Sequence, residues 1–222
     1  MNRVLNTFRL EFYTARSILP LLTVGVIIGC LLGIVRRPEV TALPIMVIGM
    51  FAGGTIFQIH ERNHSGKLFG TLPLKRSDVV LGRYMYGLMM ALFSLTIGAV
   101  IMLIFAKTMG ASATPPVSAF YIVSGLVGGW LFYWFAVSIS YPLFIRLEFS
   151  KAYMFTMVPY MILIIVSVYM IFKVHLAPLM KAFDYLQNHV VMWAVIGFGG
   201  GLVMMIISCI ISLALYRTKE LS

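Results

Sequence analysis

Six long apolar runs separated by short polar breaks make up most of this chain. They cover residues 18–35, 41–59, 84–106, 117–145, 152–172 and 190–215. Each approaches or exceeds the ~20 residues that a helix needs to cross the hydrocarbon core of a bilayer. The pattern predicts an all-α membrane protein with six transmembrane helices, folded as a single transmembrane domain over residues 1–222. The second run is the shortest and contains Pro44. The fourth is long, and Tyr141-Pro142 near its end is expected to bend or stop the helix, because proline removes a helical donor.

The polar breaks carry their own patterns. In residues 1–17, Val4, Leu5, Phe8, Phe12 and Ala15 recur at helical spacing. Arg3, Asn6, Arg9, Glu11 and Arg16 fill the other faces. This predicts an amphipathic helix lying in the membrane interface. Residues 173–189 carry an apolar stripe of Leu176, Leu179, Met180, Phe183 and Leu186, which suits an outer connector with helical character. The basic residues set the orientation. With both termini cytoplasmic, the inner side holds Arg3, Arg9, Arg16, Arg62, Lys67, Lys75, Arg76, Arg83, Arg146, Lys151, Arg217 and Lys219. The outer side holds Arg36, Arg37, Lys107, Lys173 and Lys181. Twelve against five favours that orientation.

Composition sharpens the picture. Of 222 residues, 61% are hydrophobic and 11% charged, well under the roughly 25% charge of a soluble domain. The net charge of +10 lies in breaks between apolar runs and not on one soluble face, so it reads as basic loops beside membrane lipid, and no nucleic-acid partner is expected. Cys30 and Cys209 both fall within apolar runs and read as small packing residues. No cleavable signal peptide is expected, because the first run is long and ends at Arg36-Arg37 without a small-residue cleavage site.

The runs themselves are poor in chemistry. No Asp, Glu, Lys, Arg or His sits well inside any of them, which argues against transport driven by intramembrane ionisable groups. Glycines recur four apart at Gly25/Gly29/Gly33, Gly49/Gly53, Gly125/Gly129 and Gly197/Gly201, a spacing that lets helix backbones approach closely. The fourth run carries Trp130, Tyr133 and Trp134 among other aromatics. They read either as helix packing or as the wall of a pathway for an amphipathic substrate.

The segment Phe57 to Tyr84 is the longest polar interruption. His60-Glu61-Arg62-Asn63-His64 within it spells H-E-x-x-H. In such a helix two histidines one turn apart bind zinc and the glutamate acts as general base. An integral-membrane zinc protease using His60, Glu61 and His64 is therefore one reading. A third ligand is missing: Asp78 and Glu148 lie in no recognisable second motif, and His175 and His189 fall on the outer side. Ser65-Gly66-Lys67-Leu68 resembles the end of a phosphate-binding loop. It lacks the earlier glycine, and Leu68 stands where a magnesium ligand is needed. If the chain moves a substrate actively, its motor is expected on another polypeptide.

The same segment resembles the permease subunits of bacterial ABC transporters of the type-2 exporter class. The resemblance rests on Phe57, Glu61, Asn63, Leu68, Leu72-Pro73-Leu74, Arg76, Val79-Val80 and Arg83-Tyr84. In that family the second span runs into an acidic pair, a short cytoplasmic helix and a Leu-Pro turn before the third span opens. His60 departs from the pattern where a second acidic residue is common, and Lys75 where a small polar residue is common. The layout of the whole chain agrees with the family, the specific motif only over 57–84.

The resemblance implies a permease that is not catalytic itself, working with a separate ABC ATP-binding subunit that holds ATP and Mg. It implies a second permease subunit, identical or paralogous. The loop 60–83 would couple to the ATPase through charged contacts from Glu61, Arg62, Lys67, Arg76 and Asp78. Leu68, Phe69 and Leu72 would be apolar anchors, and Pro73 would fix the return turn. Permeases similar to phenol-soluble-modulin-type peptide exporters have this size, so an amphipathic or hydrophobic substrate, such as a peptide, an antibiotic or a lipid-like molecule, and a bacterial plasma membrane are implied. The remaining alternative is a membrane protein of assembly or immunity that transports nothing.

Overall fold

The computed structural model describes residues 9, 12–13, 19–34, 42–62, 76–109, 119–147, 149, 151–156 and 188–218. Five helices organise them: α1 (Leu19–Ile34), α2 (Ala42–Arg62), α3 (Arg76–Met109), α4 (Ala119–Arg146) and α5 (Val190–Thr218). Residues 151–156 are also helical. No strand occurs among the described residues. Among the described residues, three stretches are long and apolar enough to cross a membrane, Ser77–Thr108, Ile122–Arg146 and Val190–Tyr216, and Pro44–Ile59 is a shorter apolar one. The expected interfacial helix and the fifth run lie almost wholly outside the described residues, as does most of the 173–189 connector.

Two helices run differently from expectation. α3 starts at Arg76 and not at residue 84, so part of the predicted loop is its first two turns. Asp78 in that first turn complements the positive end of the helix, and Lys107 complements its last turn. At 34 residues, α3 is about 50 Å long and exceeds a hydrocarbon core of about 30 Å, so its polar end extends beyond that core. α4 does not stop at Pro142 but continues to Arg146. The consequence of that proline appears at its freed carbonyl, below.

Small residues sit at close helix contacts, and many large aliphatic residues face outward. On α1 Gly25 is buried, and a Cβ there would meet the Cα of Ile45 on α2 at 3.3 Å. Ile27, Leu31 and Ile34 of α1 are exposed. On α5 the buried positions are Gly197, Gly201, Ser208 and Ser212, whereas Val195, Val203, Ile207 and Ile210 face out. In lipid there is no hydrophobic drive between helices, so close backbone approach and hydrogen bonds hold them together.

The most extensive packing joins α4 to α5, followed by α2 to α3 and α1 to α2. α2 also lies on α4, and α3 touches all four other helices. The largest fully buried side chains include Trp134, Tyr86, Tyr133 and Tyr141. The core is thus aromatic and centred on α4.

Candidate functional site

Phe57 and Glu61 lie one turn apart on the last turns of α2. Arg83 and Tyr84 lie two turns into α3. They flank residues 63–75, and the structure brings both roots of that polar segment against the end of α4. The Phe57 ring packs on Tyr141 at 5.1 Å and on Phe144 at 5.2 Å between centroids. The Arg83 guanidinium carbon lies 4.6 Å from the centroid of the Phe57 ring, a cation–π contact. Tyr84 packs edge-on against Tyr141 at 5.2 Å. Beyond α4 the stack continues, from Phe144 to Phe149 at 4.9 Å and from Phe149 to Tyr153 at 5.5 Å. Each such aromatic pair contributes about 0.5–1.5 kcal/mol beyond its buried area.

Glu61 closes this knot. Its carboxylate accepts a hydrogen bond from the backbone N–H of Phe149. The contact joins the last turn of α2 to the chain that follows α4, across 88 residues of sequence. Leu147 N–H still donates to Leu143 C=O at 2.8 Å, so helical bonding runs on to within two residues of the grip.

A second seam rises from Tyr84. Pro142 has no N–H, which frees the carbonyl of Ser138 one turn back. Ser208 of α5 donates to that carbonyl at 3.1 Å. The Tyr84 hydroxyl lies 2.6 Å from Ser208 Oγ and 2.8 Å from Ser212 Oγ. A hydroxyl has one proton to give. With the Ser208 proton on Ser138, Tyr84 donates to Ser208 and Ser212 donates to Tyr84. The chain Ser212, Tyr84, Ser208, Ser138 thus joins α3, α4 and α5, and it satisfies the carbonyl that Pro142 leaves open.

The sequence-predicted residues distribute unevenly. Arg62 is exposed at the end of α2, and Asp78 is half-buried in the first turn of α3. Arg76 opens α3. Lys67, Leu68, Phe69, Leu72 and Pro73 lie outside the described residues, as does His64. His60 belongs to the last turn of α2. Among the described residues no group of three His, Cys, Asp or Glu is placed to hold a metal ion, and Glu61 is turned to a backbone amide. Trp130, Tyr133 and Trp134 are buried. The Trp130 indole donates to the Phe198 carbonyl of α5 at 3.1 Å, and the Tyr133 hydroxyl donates to the Gly87 carbonyl of α3 at 2.7 Å. Both bond to neighbouring helices.

Phe144, Phe149, Ser208 and Ser212 were not singled out from sequence. A signal for the serines exists: Gly197, Gly201, Ser208 and Ser212 make one small-residue stripe at steps of four, seven and four. Phe149 has no such signal, because its partner is distant in the chain.

Taken together, the fold is a bundle of apolar helices joined by small residues, and its site is a mechanical junction at the base of a polar loop. The model of the ABC-2 family transporter proteins matches residues 8–217, and the chain belongs to that family. It is a membrane component of an ABC transporter, not the catalyst, and the family implies an ATP-binding partner. A comparison with curated proteins returns no match.

Proposed function

We propose that this chain is the permease subunit of an ATP-driven exporter, and that its loop 63–75 docks a separate ATP-binding subunit in the cytoplasm. The observation that carries the reading is the convergence of both loop roots on the end of α4. Phe57 and Glu61 on one side, and Tyr84 on the other, grip Tyr141, Phe144 and Phe149, while Arg83 lies over the Phe57 ring. A loop that only sets topology needs no such anchorage. Leu68, Phe69 and Leu72 supply the apolar contacts of docking, Arg62, Lys67, Arg76 and Asp78 the charged ones, and Pro73 the return turn. ATP-driven closure of two motor subunits, one on each of two permeases, moves this loop and repacks the helices.

In this reading the chain crosses a bacterial plasma membrane six times with both termini inside, and an N-terminal helix lies in the interface. The substrate is amphipathic or hydrophobic. In support, an apolar groove of about 370 Å³ opens between α3 and α5, lined by Leu81, Met85, Leu88, Met205 and Ile210 among others. Trp130, Tyr133 and Trp134 face a substrate only in a conformation that parts α4 from its neighbours.

Co-purification in mild detergent tests the docking. Wild type retains an ATP-binding subunit encoded beside it, and the double variant Leu68→Asp/Leu72→Asp releases it. If wild type retains none, the reading is wrong. If the double variant retains it fully, the anchors are misassigned.

A further inference from the structure

We propose that Glu61 is a positioning residue that couples the 63–75 loop to a hinge at Pro142 of α4. It acts through its hydrogen bond to Phe149. The inference rests on the transport reading above and adds the route by which motion leaves the loop.

Three observations carry it. First, Glu61 is one residue from the end of α2, where the loop begins, and its carboxylate holds the Phe149 amide. A displacement of the loop root is therefore a displacement of Phe149. Second, the stretch between Pro142 and Phe149 is tied to α2 twice, by this bond and by the Phe57–Phe144 contact at 5.2 Å. It is a short lever attached to the loop side. Third, the lever is separated from the rest of α4 by a point where the helical ladder is already broken. Pro142 donates nothing to Ser138, and the bond that replaces it comes from Ser208 on another helix. Proline sites are where helices bend. Beyond the lever, residues 151–156 are again helical, and Tyr153 among them stacks on Phe149 at 5.5 Å.

A backbone amide is an apt handle. It belongs to the main chain, so the pull reaches the helix itself and not a side chain that can rotate away. Glutamine keeps an oxygen that accepts the same N–H, and alanine does not. The pair Glu61→Gln and Glu61→Ala therefore separates the grip from charge.

The experiment measures distances between spin labels in the full-length permease with Cys30→Ala and Cys209→Ala. One label pair, Gln58→Cys with Met154→Cys, spans the grip. A second, Phe135→Cys with Met154→Cys, spans the hinge. In the permease alone, the grip pair is expected to give one narrow distance in the parent and in Glu61→Gln. Glu61→Ala is expected to broaden it. In the complex with the ATP-binding subunit, trapping with ATP and vanadate is expected to shift the hinge pair in the parent. That shift is lost in Glu61→Ala, although the subunit is still retained, and it returns in Glu61→Gln.

An unchanged grip distance in Glu61→Ala overturns the proposal. So does release of the ATP-binding subunit by Glu61→Ala with the grip distance intact, since Glu61 is then a docking contact. If the parent retains no ATP-binding subunit, the transport reading fails, and the grip pair still decides whether Glu61 holds the lever.

Discussion

The Ser138 carbonyl offers a quantitative test of how α4 tolerates Pro142. Ser208→Ala removes two bonds, the donation to Ser138 at 3.1 Å and the acceptance from Tyr84 at 2.6 Å. Hydrogen bonds between helices in a membrane average about 0.6 kcal/mol, with a maximum of about 1.7. The Ser138 carbonyl is then left without either its helical donor or its replacement, and an unmet buried acceptor costs about 1–3 kcal/mol. Ser208→Ala is therefore expected to destabilise by about 1.6–3.6 kcal/mol, the unmet carbonyl plus the lost Tyr84 bond. Pro142→Ala changes the outcome, because an alanine at that position brings back an N–H to Ser138. In that background Ser208→Ala loses only the Tyr84 bond, about 0.6 kcal/mol. The double-mutant cycle should thus show coupling of about 1–3 kcal/mol, above the ~0.3–0.5 kcal/mol within which independent sites add. Ser212→Ala is the control. Ser212 gives its proton to Tyr84 and does not touch Ser138, so its cost should be the same in the wild type as in the Pro142→Ala background. Reversible unfolding of the permease in mixed micelles, followed by far-ultraviolet circular dichroism, gives the four free energies. Coupling below about 0.3 kcal/mol, or equal coupling for Ser212→Ala, would refute the account of Ser208 as the surrogate donor.

Other substitutions read the same packing. Two nearby glycines of α5 should respond with opposite signs. A Cβ at Gly201 would lie 2.6 Å from Trp130 Cδ1, whereas a Cβ at Gly199 meets nothing within 4 Å. Gly201→Ala should cost about 1–3 kcal/mol through overpacking, and Gly199→Ala should be neutral or gain up to about 1 kcal/mol from helix propensity, both by micelle unfolding. Phe57→Leu keeps an apolar side chain but loses two ring contacts and the Arg83 cation–π contact, so about 1.5–4 kcal/mol is expected. Arg83→Gln should lose the cation–π contact, about 0.5–2 kcal/mol. Trp130→Phe removes the donor to Phe198 and should cost about 0.6–1.7 kcal/mol, with α4–α5 disulfide cross-linking becoming less selective in register.

The apolar pattern made the helices legible, because a chain in lipid must satisfy its backbone locally and for ~20 residues at a time. α1, α2, α4 and α5 begin and end near the edges of their runs for that reason. α3 does not, since Arg76, Ser77, Asp78 and Arg83 are polar yet helical beyond the apolar part. Hydropathy marks where lipid starts and says nothing of where a helix starts. Pro142 is a different case, since of the two expected outcomes, a bend or a stop, the helix shows no stop. Proline predicts a stop when the lost bond has no substitute, and here Ser208 supplies one from α5. Glu61 was visible as a motif residue, but its partner was not. An N–H carries no side-chain signature, and Phe149 lies on the far side of two helices in sequence.

The chemistry of the bonds between helices bears on how such a protein can move. Within the apolar part they are neutral: Tyr133 to Gly87, Trp130 to Phe198, and the hydroxyl chain from Ser212 to Ser138. Each contributes on the order of 0.6 kcal/mol, so parting two helices there breaks only weak bonds. The charged grips, Glu61 on the Phe149 amide and Arg83 on Phe57, lie instead at the base of the loop. The hydrogen bond to the charged Glu61 is stronger, about 1.5–3 kcal/mol in soluble proteins, and the cation–π contact adds about 0.5–2 kcal/mol. Force applied at the loop therefore meets its firmest attachments first and its weakest seams further in. A protein built to stay in one packing gains nothing from that gradient. The gradient suits the proposed permease, in which force enters at the loop and the helices repack further in.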